Sequence, residues 1–564
     1  MAGLSALPAA KICLVGVLAA FLPLFAGWPR STLVRRILFA LLIVAFAALC
    51  AFAAQAVGST TTAFDRMGGG PARLGAAAAA GLVFMAALVW LAYRYPTVTL
   101  IALLTVLPLR VPLPLGGGAS NLLLPLYALT LAMALAEIVF RDRLALPPGF
   151  DRSPTRLALT AMIAVLGVSV LWAGLRYAPH EKAFALALVK MFAFVVPFAT
   201  LYYLVERHIS SRLRLRRLVW AILASGAALA ALGIVQAATH WVIVNREGIE
   251  KGLEFQHRFR ANSLFWDPNM FSRFCGLIVL LGVATFLAVR AGGYRSWWRR
   301  ALPLAAAALA ATALALTYSR TGLVAVICGA LVVELAWLGW KKGLLAVLAS
   351  VLVLGAGLAG ITAARDTKHF GDKVQTTMGL NKLTGGRVYL VKAGWRMYRR
   401  HPVKGIGLAG FPQAFPKYRT SHAARLTLRE SHTTPVTVAA EQGTIGLLAY
   451  GALLVAFFAT TLRKRRFAGA RDLYLWQAGL VACVVTVTVA SLTYNAFFED
   501  PYLWVFMAMA SAAATRLVHS RAAAVDDGPE EGTGAEVATG TEAVTAPEPP
   551  AEGGGARSGE SSST

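Results

Sequence analysis

Apolar runs of about 18–24 residues recur along most of this chain, and each is long enough to cross a lipid bilayer as a helix. No water-soluble domain needs a series of such runs. Hydrophobic residues make up 57% of the 564 and charged residues only 14%, with a mean hydropathy of +0.63. Run length predicts about 14 spans from fifteen candidate runs, near 8–27, 34–57, 75–93, 96–114, 119–140, 157–176, 183–205, 218–238, 270–290, 300–318, 322–340, 343–363, 434–461, 473–495 and 498–516. The fold class expected is therefore all-α, a polytopic membrane helix bundle. From about Ala522 to Thr564 the chain is acidic and rich in Ala, Gly, Glu, Ser and Pro, a composition expected to stay disordered.

The connections between runs alternate in charge. Arg30, Arg35 and Arg36; Arg141, Arg143, Arg152 and Arg156; the arginines from Arg207 to Arg217; those from Arg290 to Arg300; Lys341 and Lys342; and Arg463 to Arg466 share one side if every run crosses once. By the positive-inside bias that side is cytoplasmic. The connections 58–73, 177–182, 239–269, Ser319-Arg320, 364–432 and Glu499-Asp500 then face outward. Much of the net charge of +27 belongs to this anchoring pattern, so it does not point to nucleic acid.

The segment 364–432 stands apart. It is long, carries aromatic and aliphatic residues, and holds 14 Lys/Arg against 3 Asp/Glu on the outward side. Loops of that length are functional or disordered, and its apolar content argues for function. Its charge asks for an anionic partner, with phosphates the obvious candidates. Five regions follow: 1–240, an N-terminal transmembrane bundle; 241–363, a central transmembrane segment with outer Arg-bearing loops; 364–432, the long outer loop; 433–517, C-terminal transmembrane helices; and 518–564, the tail.

Several motifs carry chemistry or imitate it. Gly405-Ile406-Gly407-Leu408-Ala409-Gly410 fits the spacing of a dinucleotide-binding fingerprint, but no strand precedes it and no βαβ unit surrounds it. A flexible turn after an amphipathic helix is the better account. That helix is expected from Arg387 to Arg399, with Leu390, Val391, Gly394, Met397 and Tyr398 at helical spacing. Either it lies on the membrane surface with its cations on headgroups, or Arg387 at its N-terminal end reaches into a cavity. Thr434-Pro435 looks like an N-cap followed by proline at the first helical position, which sets His432 beside the positive end of a helix dipole. A neutral imidazole there suits a general base; a lone boundary histidine can equally be incidental. Arg320, in a turn too short to need a charge for solubility, and Arg258 and Arg260, before Asp267-Pro268-Asn269, are forks that match phosphate oxygens. Each alone also reads as a snorkelling cation. Glu441 falls inside a predicted span, where a carboxylate usually faces protein; it either orients Arg or His partners or satisfies a helix contact. The five cysteines are scattered through spans without metal spacing, so neither a disulfide nor a metal site is expected.

Taken together, Arg260 with Asp267-Pro268-Asn269, the stretch Leu316 to Gly322, Gly386-Arg387 through Trp395, His401-Pro402, Gly405-Ile406-Gly407 and Phe411, and Ser431-His432 followed by Ala440-Glu441-Gln442-Gly443-Thr444-Ile445-Gly446 resemble the O-antigen ligase and O-antigen polymerase superfamily of bacterial envelope glycosyltransferases. The resemblance covers about residues 258–450; Thr433 follows the histidine where the family often has Asn. It implies a GT-C-like enzyme of the cell inner membrane, multi-pass, with a partly helical periplasmic loop and its active site facing the periplasm. It would move a glycan from a polyprenyl-diphosphate carrier to the hydroxyl of a lipid-linked sugar acceptor, with no cofactor and no metal. By the same resemblance His432 would deprotonate or orient the acceptor hydroxyl. Arg320 and Arg387 would hold the diphosphate and stabilise the leaving group, with Arg258, Arg260, Asn269 and Glu441 in substrate binding.

The competing readings are a polytopic transporter or lipid flippase, for which Lys190 and Pro197 inside the seventh run are mild support, and an envelope-assembly scaffold. The first predicts an internal repeat of spans, which the sequence does not show. The second would leave His432 and the arginines without a role.

Overall fold

The computed structural model describes residues 2–26, 31–56, 71–109, 111–115, 118–140, 153–173, 180–256, 259–294, 296–363, 387–419, 431–463, 467, 469–494 and 497–517. Arg258, Gly386 and the acidic tail lie outside them. The helices are α1 (Ala2–Ala26), α2 (Thr32–Ala56), α3 (Pro71–Arg94), α4 (Pro96–Thr105), α5 (Leu124–Leu135), α6 (Pro154–Ser169), α7 (His180–Lys190), α8 (Val196–His208), α9 (Arg212–Thr239), α10 (Arg246–Gln256), α11 (Pro268–Ala291), α12 (Trp297–Leu316), α13 (Arg320–Ala363), α14 (Arg387–Arg400), α15 (Phe411–Tyr418), α16 (Thr434–Thr461), α17 (Arg471–Ala490) and α18 (Pro501–Ala512). Among the described residues nine helices are long and apolar enough to cross a membrane, ten if the bent pair Ala79–Arg94 and Pro96–Thr105 is one span. The molecule is an all-helical polytopic bundle apart from one hairpin.

That hairpin departs from the expected spans 96–114 and 119–140. Strands β1 (Val111–Leu115) and β2 (Gly118–Leu122) pair antiparallel, with Val111 opposite Leu122. Pro108 disfavours a helical Leu107 and stops α4 near Thr105, and Pro112 and Pro114 keep the following segment from resuming a helix. The expected spans 322–340 and 343–363 form one long helical run broken at Gly339, where φ is 77°.

Helix starts follow a repeated local rule. Pro96, Pro154, Pro268, Pro435 and Pro501 open their helices, where a missing N–H costs nothing. At α11 and α18 the preceding aspartate completes the cap: Asp267 accepts from the Asn269 N–H at 2.7 Å and Asp500 from the Tyr502 N–H at 2.9 Å. At α16 the cap position is Thr433, one residue earlier than expected, and its side chain makes no capping bond.

Charged groups gather at both ends of the bundle. At one end Arg207 pairs with Glu137 at 3.1 Å, Arg156 lies 3.9 Å from Glu206, and Arg516 donates to the Glu206 and Arg207 carbonyls. At the other, segments 259–269, Thr317 to Arg320, the loop helices and the turn before Asp500 gather.

α16 is not a continuous helix. It breaks at Gly443, where φ is 68° and ψ −157°, and the segment 402–407 enters the break. Thr444 N donates to the Pro402 carbonyl at 2.7 Å, Ile406 N to Ala440 at 3.0 Å and Gly407 N to Glu441 at 2.8 Å. The loop thus supplies partners for backbone groups that an unbroken helix would have paired internally. A Cβ on Gly443 would sit 2.3 Å from the Val403 carbonyl oxygen. The two glycine-rich motifs of the sequence are therefore halves of one interlock.

α14 and α15 rest on this interlock. Tyr389, Leu390, Ala393, Met397, Ile406, Phe411, Ala414, Phe415 and Ala440 form a separate buried cluster. The apolar face of α14 therefore meets protein, and Gly394 lets it approach Val436 of α16. Lys392, Arg396, Arg399 and Arg400 remain exposed.

Gly443→Ala should destabilise the protein by roughly 1–3 kcal/mol from backbone strain alone, and by more once the Val403 contact is counted. Gly451→Ala, in the same helix with no atom within 4 Å of its added Cβ, should be neutral or slightly stabilising. Thermal unfolding in detergent checks both; equal melting temperatures for the two variants would contradict the interlock.

Candidate active site

The site forms where the N-terminal ends of α11, α13, α14 and α16 approach one another. Arg260 organises one wall. Its Nε donates to the Thr317 carbonyl at 2.7 Å and its Nη2 to Asn269 Oδ1 at 2.9 Å, while the Ser319 hydroxyl donates to the same Asn269 oxygen at 2.9 Å. The segment before α11 is thereby tied to the end of α12 and the start of α13. Arg260 and Asn269, read from the sequence as separate substrate contacts, are neighbours held in one network.

His432 occupies a left-handed turn with φ of 55°. The turn is closed by Ser431, which is fully buried; its hydroxyl accepts from Thr433 N at 3.1 Å and pairs with Thr437. On the far side Thr434 N donates to the Ser491 carbonyl at 2.8 Å. Non-glycine residues with positive φ carry strain that surrounding structure must hold, and such positions concentrate at functional sites. The imidazole Nε2 is buried and has no hydrogen-bond partner among the described residues. An unpaired ring nitrogen is a chemically open position.

Arg387, the first residue of α14, and Asp267, the cap of α11, share the field around this ring. Burial lowers the proton affinity of His432, the Arg387 guanidinium lowers it further, and the Asp267 carboxylate opposes both. The imidazole is consequently held on the neutral side of an ordinary histidine. The sequence argument had assigned this effect to the helix dipole; burial and Arg387 carry it. Burial also lowers the affinity of Arg387 and of Arg260, with Asp267 raising both. A guanidinium stays charged at neutral pH regardless, so the site presents two half-buried cations, one compensating carboxylate and one neutral base.

The remaining expected residues are distributed differently. Arg320 opens α13 next to Ser319, but its side chain is exposed and makes no hydrogen bond or ion pair with a described residue. Glu441 is buried below the turn: Oε1 accepts from Phe411 N at 3.2 Å and Oε2 lies 3.9 Å from Lys190 Nζ. Its contacts fasten the 402–411 loop, and none is to His432 or Arg387. Lys190 also reaches Glu499 at 3.4 Å.

Sequence reasoning missed Tyr494, whose ring lies 6.0 Å from that of His432, and the electrostatic role of Asp267. Asp267 was visible as a motif residue; nothing around Tyr494 marked it. Among the described residues no three His, Cys, Asp or Glu side chains come together as a metal site requires.

The described residues form a helical bundle with nine candidate membrane spans and a half-buried histidine near arginines at one end. Residues 305–451 match the family model described as O-antigen ligase, a segment spanning α12 to the first half of α16 and including Arg320, Arg387, His432 and Glu441. No curated protein matches the chain. The match covers about a quarter of the 564 residues, and over that segment the chain is similar to O-antigen ligases, which supports a membrane glycosyltransferase of that general type.

The pKa directions yield a signed test. Modification of His432 by diethylpyrocarbonate, followed by mass spectrometry against pH, should reach half-extent below the ordinary histidine value of about 6.5. Arg387→Gln should move that midpoint up and Asp267→Asn, which keeps a capping side chain, should move it down. No movement with Arg387→Gln would contradict the shared field.

Proposed function

We propose that this protein transfers a glycan from a polyprenyl-diphosphate carrier to the hydroxyl of a lipid-linked acceptor at the periplasmic face of the inner membrane. The observation that carries the reading is the buried, unpaired imidazole Nε2 of His432, whose proton affinity burial and Arg387 lower, with Arg387 and Arg260 both in the field of Asp267. The family match supports the reaction class, and the cationic outer loop suits a diphosphate.

The chemistry follows from those groups. The acceptor hydroxyl gives its proton to His432 Nε2 as its oxygen bonds to the anomeric carbon, and the bond from that carbon to the carrier diphosphate breaks. Arg387 and Arg260 hold the departing diphosphate, whose charge rises as the bond lengthens; preorganised cations are worth most where charge develops. Arg320, exposed at the rim, takes the role of first contact for the donor phosphates. A diphosphate is already a good leaving group, so these cations and one base suffice without a metal ion. Holding both substrates in line supplies the remainder.

Transfer by purified, lipid-reconstituted protein tests the reading. His432→Ala should slow it at least about 100-fold, the lower range for losing a general base, while donor binding and thermal stability stay at wild-type values. Arg387→Ala should weaken donor binding, and Arg387→Lys should restore little, because an ammonium lacks the paired donors of the guanidinium. Retained transfer by His432→Ala would refute the assignment of the base.

A further inference from the structure

We infer that Tyr494 is a positioning residue for His432, and that the buried Arg273–Asp500 ion pair holds Tyr494 in place. The inference rests on the reading of His432 as the base.

The left-handed turn fixes the backbone of His432 but not its ring. Its Nε2 has no hydrogen bond to a described residue, so side-chain packing has to set the ring's direction. Tyr494 supplies a tilted aromatic contact, with centroids 6.0 Å apart and planes at 52°, within the range of favourable aromatic pairs. The segment that carries Tyr494 is itself fastened to the helix following His432 by the bond from Thr434 N to the Ser491 carbonyl.

Against the same Tyr494 ring lies the Arg273 guanidinium, 5.8 Å from its centroid, a cation–π distance. Arg273 sits one turn beyond Asn269 on α11. Its Nε contacts Asp500 Oδ2 at 2.7 Å, and the two side chains are 7% and 3% exposed. Asp500 cannot rotate away, because its other oxygen caps α18 through the Tyr502 N–H. A helix cap thus fixes a carboxylate, the carboxylate fixes a guanidinium, the guanidinium fixes a ring, and the ring faces the base. A purely structural ion pair between α11 and α18 has no need to lie on that ring.

Packing of Tyr494 on His432 adds to the burial of the imidazole. Among the described residues the other charged groups facing the imidazole are Arg387 from α14 and Asp267 from the start of α11. Removing the ring weakens the desolvation of His432 and also takes away the phenol that interacts with Arg387, while Asp267 stays in place.

The experiment measures transfer against pH and acceptor concentration in lipid-reconstituted protein. Tyr494→Ala should lower kcat roughly ten- to a hundredfold, the scale of a misplaced reacting group, with KM little changed and the acid limb shifted up toward pH 6.5. Tyr494→Phe keeps the ring and should stay near wild type. The double variant Arg273→Met with Asp500→Asn removes both charges but keeps a capping side chain, so it should fold; it should reproduce the loss of kcat. A wild-type pH profile and rate in Tyr494→Ala would overturn the inference, as would Tyr494→Phe losing as much as Tyr494→Ala, which would make the hydroxyl the acting group. Wild-type transfer by His432→Ala would instead sink the underlying reading of the base, an outcome distinct from either.

Discussion

The structure turns on the entry of the 402–407 strip into the break of the helix at Thr434–Thr461. Without that break, Thr434 would begin an ordinary span and His432 would be a surface residue beside it. With it, the nine residues from Thr434 to Gln442 form a short half-helix whose far end is clamped by loop backbone. The same loop carries α14, so the clamp that fixes His432 from one end also delivers Arg387 from the other. Glycines at 405 and 443 are required because each adopts positive φ and each lies against a backbone carbonyl or carbon at a separation no Cβ tolerates.

Electrostatics then does what packing alone cannot. A half-buried imidazole next to a guanidinium resists protonation, and a neutral imidazole is the form that accepts a proton. Asp267 tempers this field while capping α11, so one carboxylate serves both fold and site. At the opposite end of the bundle, Arg156, Glu206, Arg207, Glu137 and Arg516 make a second, structural network. Breaking one member of such a buried set leaves the others uncompensated, so the network ties the helices together at that end.

Much of this was legible from the residues. Apolar run length gave the helical, polytopic class, and the helical spacing from Arg387 onward gave α14 nearly to its last residue. The break at Gly339 was readable because Lys341 and Lys342 interrupt the apolar run. The break at Gly443 was not, since apolar character continues across it and only a partner 40 residues away creates it. The hairpin at Val111–Leu122 was hidden for a related reason: hydrophobic content there matches a span, and the prolines and glycines that forbid one were outweighed. Glu441 was readable as buried but not as a loop anchor, and Tyr494 carried no local signal because its contacts with Arg273 and His432 come from distant parts of the chain.

The most direct measurement of the account is an electron cryomicroscopy map of the protein in a lipid disc with a polyprenyl-diphosphate glycan bound. The diphosphate should lie between Arg387 and Arg260, with the His432 imidazole facing the anomeric carbon across the space for an acceptor. A diphosphate seated elsewhere, or His432 and Arg387 opening into separate cavities, would contradict it.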